Sequence, residues 1–202
     1  NAEVVRICRE GSRVTGVVIR RNGVEELIAG SDFITSMSVR ELVERMEDAP
    51  APVVEAASSL KYRDFLTVCL IIDQADLFPD NWIYVHEPDV KVGRIQNFKN
   101  WSPDMVPDQS KTSLGLEYFC NEGDELWNMA DADLVELGTQ ELARMGLAQR
   151  TDVIDGCVHR VEKSYPVYDS TYREHLSHVR GFVESLDNLV TYAGYFDIPR
   201  EE

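Results

Sequence analysis

The sequence predicts an α+β fold: a mixed, mainly antiparallel sheet with flanking helices, preceded by a β-meander. Three observations carry that expectation. Residues 3–35 contain EVVRI, VTGVVIR and EELIAGSDFITS, rich in β-branched residues and separated by Gly11 and by Asn22-Gly23, the strongest short hairpin signal. NWIYVHEP, VGRIQNF and SLGLEYFC then follow at short intervals between turn-forming segments, as an antiparallel set does. The segment 131-DADLVELGTQELARMG-146 places Leu134, Val135, Leu137, Leu142 and Met145 near helical spacing, with Gly146 as a stop.

The remaining elements follow in order. Ser38 and Glu41 have capping-box spacing, and Leu42, Val43 and Met46 give an apolar stripe, so a helix is expected over Val39 to Glu47. Residues 48–52 break it, and a second helix is expected over Val53 to Leu60. DFLTVCLIID is a near-continuous apolar run of strand length, which predicts a central strand buried on both faces. Its partners are separated by Pro79-Asp80-Asn81, Pro88-Asp89 and 102-SPDMVPDQSK-111. After the long helix come a strand around Val158 to Val161, the turn YPVYD, a helix over Tyr172 to Leu186, and NLVTYAG as a last strand. There is no internal repeat, low-complexity tract or linker-like composition shift.

The chain of 202 residues is long enough for a sizeable core, and 44% of it is apolar. Twenty Lys and Arg against 36 Asp and Glu give a net charge of -16, which repels phosphate backbones and anionic lipid. Neither a nucleic acid nor a membrane is therefore an expected partner. No run approaches about 18 apolar residues and no secretory leader pattern opens the chain, so a soluble, cytoplasmic protein is expected. Cys8, Cys69, Cys120 and Cys157 lie far apart and read as reduced core residues. The first residues, NAEVVRI, read as the inside of a strand, and a fragment of a longer protein is expected.

Motifs for dinucleotide, P-loop, serine-hydrolase and zincin chemistry are missing, so no catalytic residue is assigned. His175 and His178 share a helical face but lack a third ligand, and no metal is expected. His86 and His159 have no identifiable role. Asp124, Glu125, Asp131 and Asp133 suit the start of the long helix. The acidic chain nevertheless gathers cations and aromatics in 93-GRIQNFKNWSPDM-105.

Strand period two puts Trp82 with Tyr84, and Arg94 with Gln96 and Phe98, opposite Ile95, Asn97 and Lys99. Together with Trp101, Glu117 and Tyr118 these residues form a candidate substrate face, where a guanidinium takes an anion and flat rings stack on planar groups. The same residues also satisfy a packing reading, with Arg94 and Lys99 paired to Glu117 and Asp104. Pro166 holds Tyr165 and Tyr168 on a rigid turn, either lining a cleft or simply leading into the next helix.

In order and spacing, EVVRI, GVVIR and SDFITSMSVRELV resemble the segment of flavin-dependent amine oxidase and protoporphyrinogen-oxidase-like proteins in which a meander returns to the flavin domain. RIQNFKNW, LEYF and YPVYDSTYREHL resemble the substrate half of the UDP-galactopyranose mutase relatives in that superfamily, and SYPVYDSTYREHLSHVRGFVESLDNLVTYAG resembles the run into their C-terminal flavin motif. The resemblance implies that residues 1–37 belong to a flavin-binding part and residues 38–202 to a substrate-binding α+β domain. It implies FAD as cofactor of the complete protein, with weak or absent binding here, because the Gly-rich βαβ unit that holds a pyrophosphate is missing and YFDIPREE replaces the terminal flavin motif.

By the same resemblance Val4, Ser36, Met37, Arg94 and Gly194 are cofactor-facing. Tyr165 and Pro166 join Trp82, Tyr84, Arg94, Asn97, Lys99, Trp101, Glu117 and Tyr118 as substrate-facing residues. The implied function is the substrate-binding portion of an FAD-dependent oxidoreductase, amine oxidase-like or mutase-like, inactive alone, acting on a small anionic or nucleotide-sugar substrate. Self-association through an exposed flavin-domain face is expected. The alternative is a non-catalytic ligand- or protein-binding α+β domain.

Overall fold

The computed structural model describes residues 2–192. In chain order the elements are β1 (Glu3–Glu10), β2 (Arg13–Arg21), β3 (Val24–Ala29), β4 (Phe33–Thr35), α1 (Val39–Glu44), α2 (Ala51–Ser59), β5 (Tyr62–Ile72), β6 (Trp82–Tyr84) and β7 (Arg94–Asn97). There follow α3 (Phe98–Trp101), β8 (Thr112–Cys120), α4 (Glu125–Asn128), α5 (Asp131–Arg144), β9 (Val153–Pro166), α6 (Tyr172–Glu184) and β10 (Leu189–Thr191). The result is α+β with mainly antiparallel sheets, as expected. The described residues divide into two compact units, residues 2–62 with 165–192, and residues 63–164.

In the first unit the meander β1-β2-β3 is antiparallel, and Asn22 and Gly23 both have positive φ (52° and 79°), the backbone a two-residue hairpin turn requires. Helix α1 starts where Ser38 accepts from the Glu41 amide at 3.3 Å, and ends before the expected Glu47. Pro52 sits in the first turn of α2, where its missing N–H costs nothing, so the helix includes part of the segment expected to break it. Strand β4 continues none of the meander. It pairs in parallel with β10, Phe33 against Leu189 and Thr35 against Thr191. The core of the unit joins Ile7, Val14, Leu42, Val43 and Ala57 to Leu176, Val179 and Val183 of α6.

One buried polar side chain ties distant segments of this unit together. Asn188 accepts from the Val14 amide at 2.8 Å and donates to the carbonyls of Val14 (2.8 Å) and Ser31 (2.7 Å). Near α6, Asp169 accepts from Lys61 (2.9 Å), from the Thr171 hydroxyl (2.8 Å) and from its amide (3.0 Å). These bonds, that from Lys61 first, hold the Asp169 carboxyl down to about 2.

The folded pKa of Asp169 lies below the ordinary value of about 3.9, so its stabilising contribution is present above that pH and lost as pH falls toward about 2. A carboxyl-carbon NMR titration is expected to place the Asp169 midpoint near the lower value; a midpoint near 3.9 would refute the clamp.

The second unit is built on the sheet β6-β7-β8-β5-β9. Strand β5 lies inside this sheet, yet its burial alternates: Asp64, Leu66, Val68, Leu70 and Ile72 are buried, while Phe65, Thr67, Cys69 and Ile71 are half-buried. The expected burial on both faces is thereby corrected: one face is buried and the other only half-buried. Helix α5 covers the buried face, and Gly138 makes close approach possible: an added Cβ would stand 3.1 Å from Leu116 and 3.3 Å from Val68. Strand β9 is far longer than the expected stretch around Val158 to Val161, because an edge strand with one wet face tolerates Asp155, Glu162 and Lys163. Cys157, expected in the core, is exposed on β9, whereas Cys120 is buried.

Candidate functional site

The hairpin β6-β7 and the strand β8 set out two rows of facing residues. Trp82 pairs with Gln96 and Gln96 with Gly115; Tyr84 pairs with Arg94 and Arg94 with Glu117. The rows continue onto β5 as Cys69 and Thr67. Residues directly opposite in a sheet share a face, so Trp82, Tyr84, Arg94, Gln96 and Glu117 all project to one side. This is the face away from α5. Gly115 leaves a gap in the row, and the ring of Phe98 fills it, 2.6 Å from where a Cβ would be.

At the centre lies a buried ion pair. Arg94 donates to one Glu117 oxygen through Nε at 2.7 Å and Nη2 at 2.5 Å, and Gln96 donates to the other. The two charged side chains are 14% and 3% exposed, so both are taken out of water and each depends on the other. The guanidinium carbon lies 5.4 Å from the Trp82 ring centre and 5.8 Å from that of Tyr84, within cation–π range. Trp82 also meets Trp101 edge-on at 5.5 Å. Trp82, Tyr84 and Trp101 are 44%, 57% and 48% exposed, leaving wet aromatic surface around a compensated charge.

Other sequence-predicted residues fall elsewhere. The strand alternation ends at Asn97, and Lys99 sits in the helical turn α3, contrary to the expected alternation through Phe98 and Lys99. Instead of reaching Asp104, its ammonium donates to the carbonyls of Ala75 (2.7 Å), Gln109 (2.7 Å) and Lys111 (3.2 Å), and so fastens two loops. Asn97 is on the opposite face, 2% exposed, with a buried carbonyl oxygen that lacks a hydrogen-bond partner. Tyr118 also turns to that face, where its hydroxyl donates to Glu141 of α5 at 2.9 Å. Burial first, and then the Glu141 carboxylate, push the Tyr118 phenol far above its usual range.

Glu141, not singled out from sequence, is 5% exposed and also accepts from the amides of Lys91 (2.6 Å) and Val92 (3.1 Å). It thereby ties the segment leading into β7 to α5. Its only sequence signal was a carboxylate beside Leu142, one residue off the apolar stripe.

Tyr165 and Pro166 belong to the first unit, where β9 ends and the Val167 amide donates to the Lys61 carbonyl at 2.8 Å. Tyr168 meets Tyr172 edge-on at 4.8 Å. Val4, Ser36 and Met37 come together in that unit, lining a cavity of about 280 Å³ with Phe33, Leu42 and Leu189. Gly194 lies outside the described residues. Among the described residues no cluster of His, Cys, Asp or Glu could hold a metal ion, and no helix is long and apolar enough to cross a membrane.

No family model matches the sequence, and no curated protein matches it. Solved structures do share the fold. Reduced UDP-galactopyranose mutase matches with a TM-score of 0.72 at 16% identity, over 93% of this chain and 40% of that one. A protein from Exiguobacterium sp. 255-15, provisionally assigned as a protoporphyrinogen oxidase, matches at 0.63 and 17% identity, over 94% of this chain and 41% of that one. A CLA-producing fatty acid isomerase from P. acnes matches at 0.57 and 12%, over 96% and 42%. The chain thus spans about 40% of the length of these proteins.

Proposed function

We propose that the chain is the substrate-binding portion of an FAD-dependent oxidoreductase, amine oxidase-like in the broad version and mutase-like in the narrow one. The observation that carries this reading is the sheet face on which Trp82, Tyr84 and Trp101 surround the Arg94–Glu117 pair. The fold it shares with UDP-galactopyranose mutase over 93% of its residues supports the same reading. Exposed rings suit a flat group such as a base, and the small exposed part of the guanidinium suits an oxygen of one. Because Glu117 offsets the charge of Arg94, stacking supplies more of the recognition than attraction of a bare anion does.

The cavity lined by Val4, Ser36 and Met37 is walled mainly by apolar side chains and carries no cation, so it fits the edge of a ring and not a diphosphate. In this reading residues 1–37 are the cofactor-facing part and 38–202 the substrate-facing part, and the fuller protein would supply the groups that hold the phosphates. FAD, when bound there, would supply the redox chemistry. The chain's own residues would position substrate: Trp82 and Trp101 by stacking, Arg94 and Gln96 by hydrogen bonding. Ile34, Val190 and Tyr192, at 81%, 60% and 71% exposure, form the surface on which the expected self-association would rest. The second reading, a non-catalytic ligand-binding domain, draws on the same exposed rings and needs no cofactor.

Titration with UDP-galactopyranose, followed by tryptophan fluorescence, tests the site. Saturable quenching is expected, weakened about tenfold by Trp82→Ala or Trp101→Ala, the size of one lost stacking contact. A parallel titration with FAD separates the two readings: flavin absorbance retained by the full-length protein supports the oxidoreductase, and sugar-nucleotide binding without any flavin binding supports the second. Absence of quenching by either ligand would sink both.

A further inference from the structure

Two of the free thiols face each other across neighbouring strands. At one end of the β5–β9 pair the Lys163 amide donates to Asp64 at 2.6 Å, and at the other the Asp73 amide donates to the Asp152 carbonyl at 2.7 Å. The strands therefore run antiparallel, and counting inward from both anchors brackets the position opposite Cys69 between Gly156 and Val158. A Cβ on Gly156 would stand 3.1 Å from the Cys69 carbonyl and would also meet Leu70 and Val135, on the α5 side. Cys157, next in sequence, must then project to the other side, where Cys69 also lies, close enough for Cys157 to help raise the Cys69 thiol. Cys157 is exposed and Cys69 half-buried.

Facing residues of antiparallel strands have Cα atoms about 4.5–5.5 Å apart, inside the range of about 4.4–6.8 Å that a disulfide spans. We propose that Cys69 and Cys157 are a redox-modification site, a dithiol that closes reversibly to a cross-strand disulfide when it meets a small-molecule disulfide oxidant. The site lies on the substrate-facing side of the sheet, in the row Trp82, Gln96, Gly115, Cys69, but the proposal does not depend on the cofactor reading.

The chemistry balances with a disulfide RSSR as oxidant. The Cys157 thiolate attacks one sulfur and releases RS⁻, leaving Cys157 joined to the second R–S group. The Cys69 thiolate then attacks the Cys157 sulfur, expels a second RS⁻ and completes the protein disulfide. Two electrons pass from the two cysteines to RSSR, and their two protons go to the departing thiolates or to solvent. Burial first, and then Cys157, push the Cys69 thiol up to about 11. Exposed Cys157 therefore reacts first, and the resolving step is slow at neutral pH, where roughly one Cys69 in ten thousand is ionised.

Treatment of the chain with oxidised glutathione, quenched in acid and read by intact mass, peptide mapping and thiol titration in denaturant, tests this. Two thiols are expected to be lost from the four present, with a peptide joining Cys69 to Cys157. A glutathione adduct on Cys157 should precede the link and convert to it about tenfold faster per unit rise in pH. Cys69→Ser should stop at that adduct, and Cys157→Ser should leave Cys69 unmodified. An adduct on Cys157 that persists at pH 9 with Cys69 still free would overturn the proposal. So would a link from Cys157 to Cys8 or to a second chain.

Discussion

Replacing Arg94 by methionine is expected to destabilise the second unit by about 3 kcal/mol, the lower end for breaking a buried ion pair from one side. The cost comes from Glu117. Its side chain is 3% exposed, and it loses both guanidinium bonds while keeping only the Gln96 amide. Methionine fills much of the space but satisfies neither oxygen. Arg94→Lys is expected to cost less, since it retains the charge and loses only one of the two contacts to the same Glu117 oxygen. The double variant Arg94→Met, Glu117→Leu should recover most of the loss, because two apolar groups need no partners.

Urea unfolding of the four proteins checks this, and a double variant no more stable than Arg94→Met would refute it. The result bears on function, since a loss of ligand binding in Arg94→Met cannot be separated from loss of the sheet. Trp82 and Trp101, roughly half exposed, are the cleaner positions for probing recognition.

The sequence made this face legible because it depends on a short-range rule. Trp82 with Tyr84 and Arg94 with Gln96 are two apart, and strand alternation puts such residues on one side wherever the strand is straight. The rule failed after Asn97, where FKNW winds into a helical turn of four residues, too short for apolar periodicity to register. Tyr118 shows a related limit: it sits beside Glu117 but faces the other way, so adjacency in LEYF did not mean a shared site.

What stayed hidden depends on distant contacts. The parallel pairing of Phe33–Thr35 with Leu189–Thr191 has no local signature, and Asn188, expected as the first residue of the last strand, gives no sign in sequence that it bonds Val14 and Ser31. The thiol pair was obscured for the same reason. Only the register of β5 against β9 makes neighbours of Cys69 and Cys157, and the longer course of β9 was masked by Gly156 and by the charges on its wet face.

Glu141→Leu is the other substitution expected to have a large effect, a loss of about 3–5 kcal/mol, because two buried donors lose their partner at once and each costs about 1–3 kcal/mol when left unsatisfied. The Val92 amide and the Tyr118 hydroxyl belong to buried residues, whereas Lys91 is exposed and its amide can turn to water. Glu141→Gln keeps one oxygen as acceptor and should cost about 1 kcal/mol. Tyr118→Phe removes a single bond to a charged group and should fall between, near 2 kcal/mol. This ordering separates a hydrogen-bond hub from simple packing, since leucine is the better helix former and the more apolar of the two replacements. If packing governed the position, leucine would be tolerated and glutamine would not.

The consequence reaches the candidate site. Lys91 and Val92 lie in the connection that closes the hairpin carrying Trp82 and Tyr84 onto Arg94, so releasing them should loosen that hairpin before the rest of the sheet. Hydrogen exchange is expected to rise first at residues 82–97 in Glu141→Leu, with the β5–β8 ladder still protected; uniform loss of protection across the sheet would count against a local role.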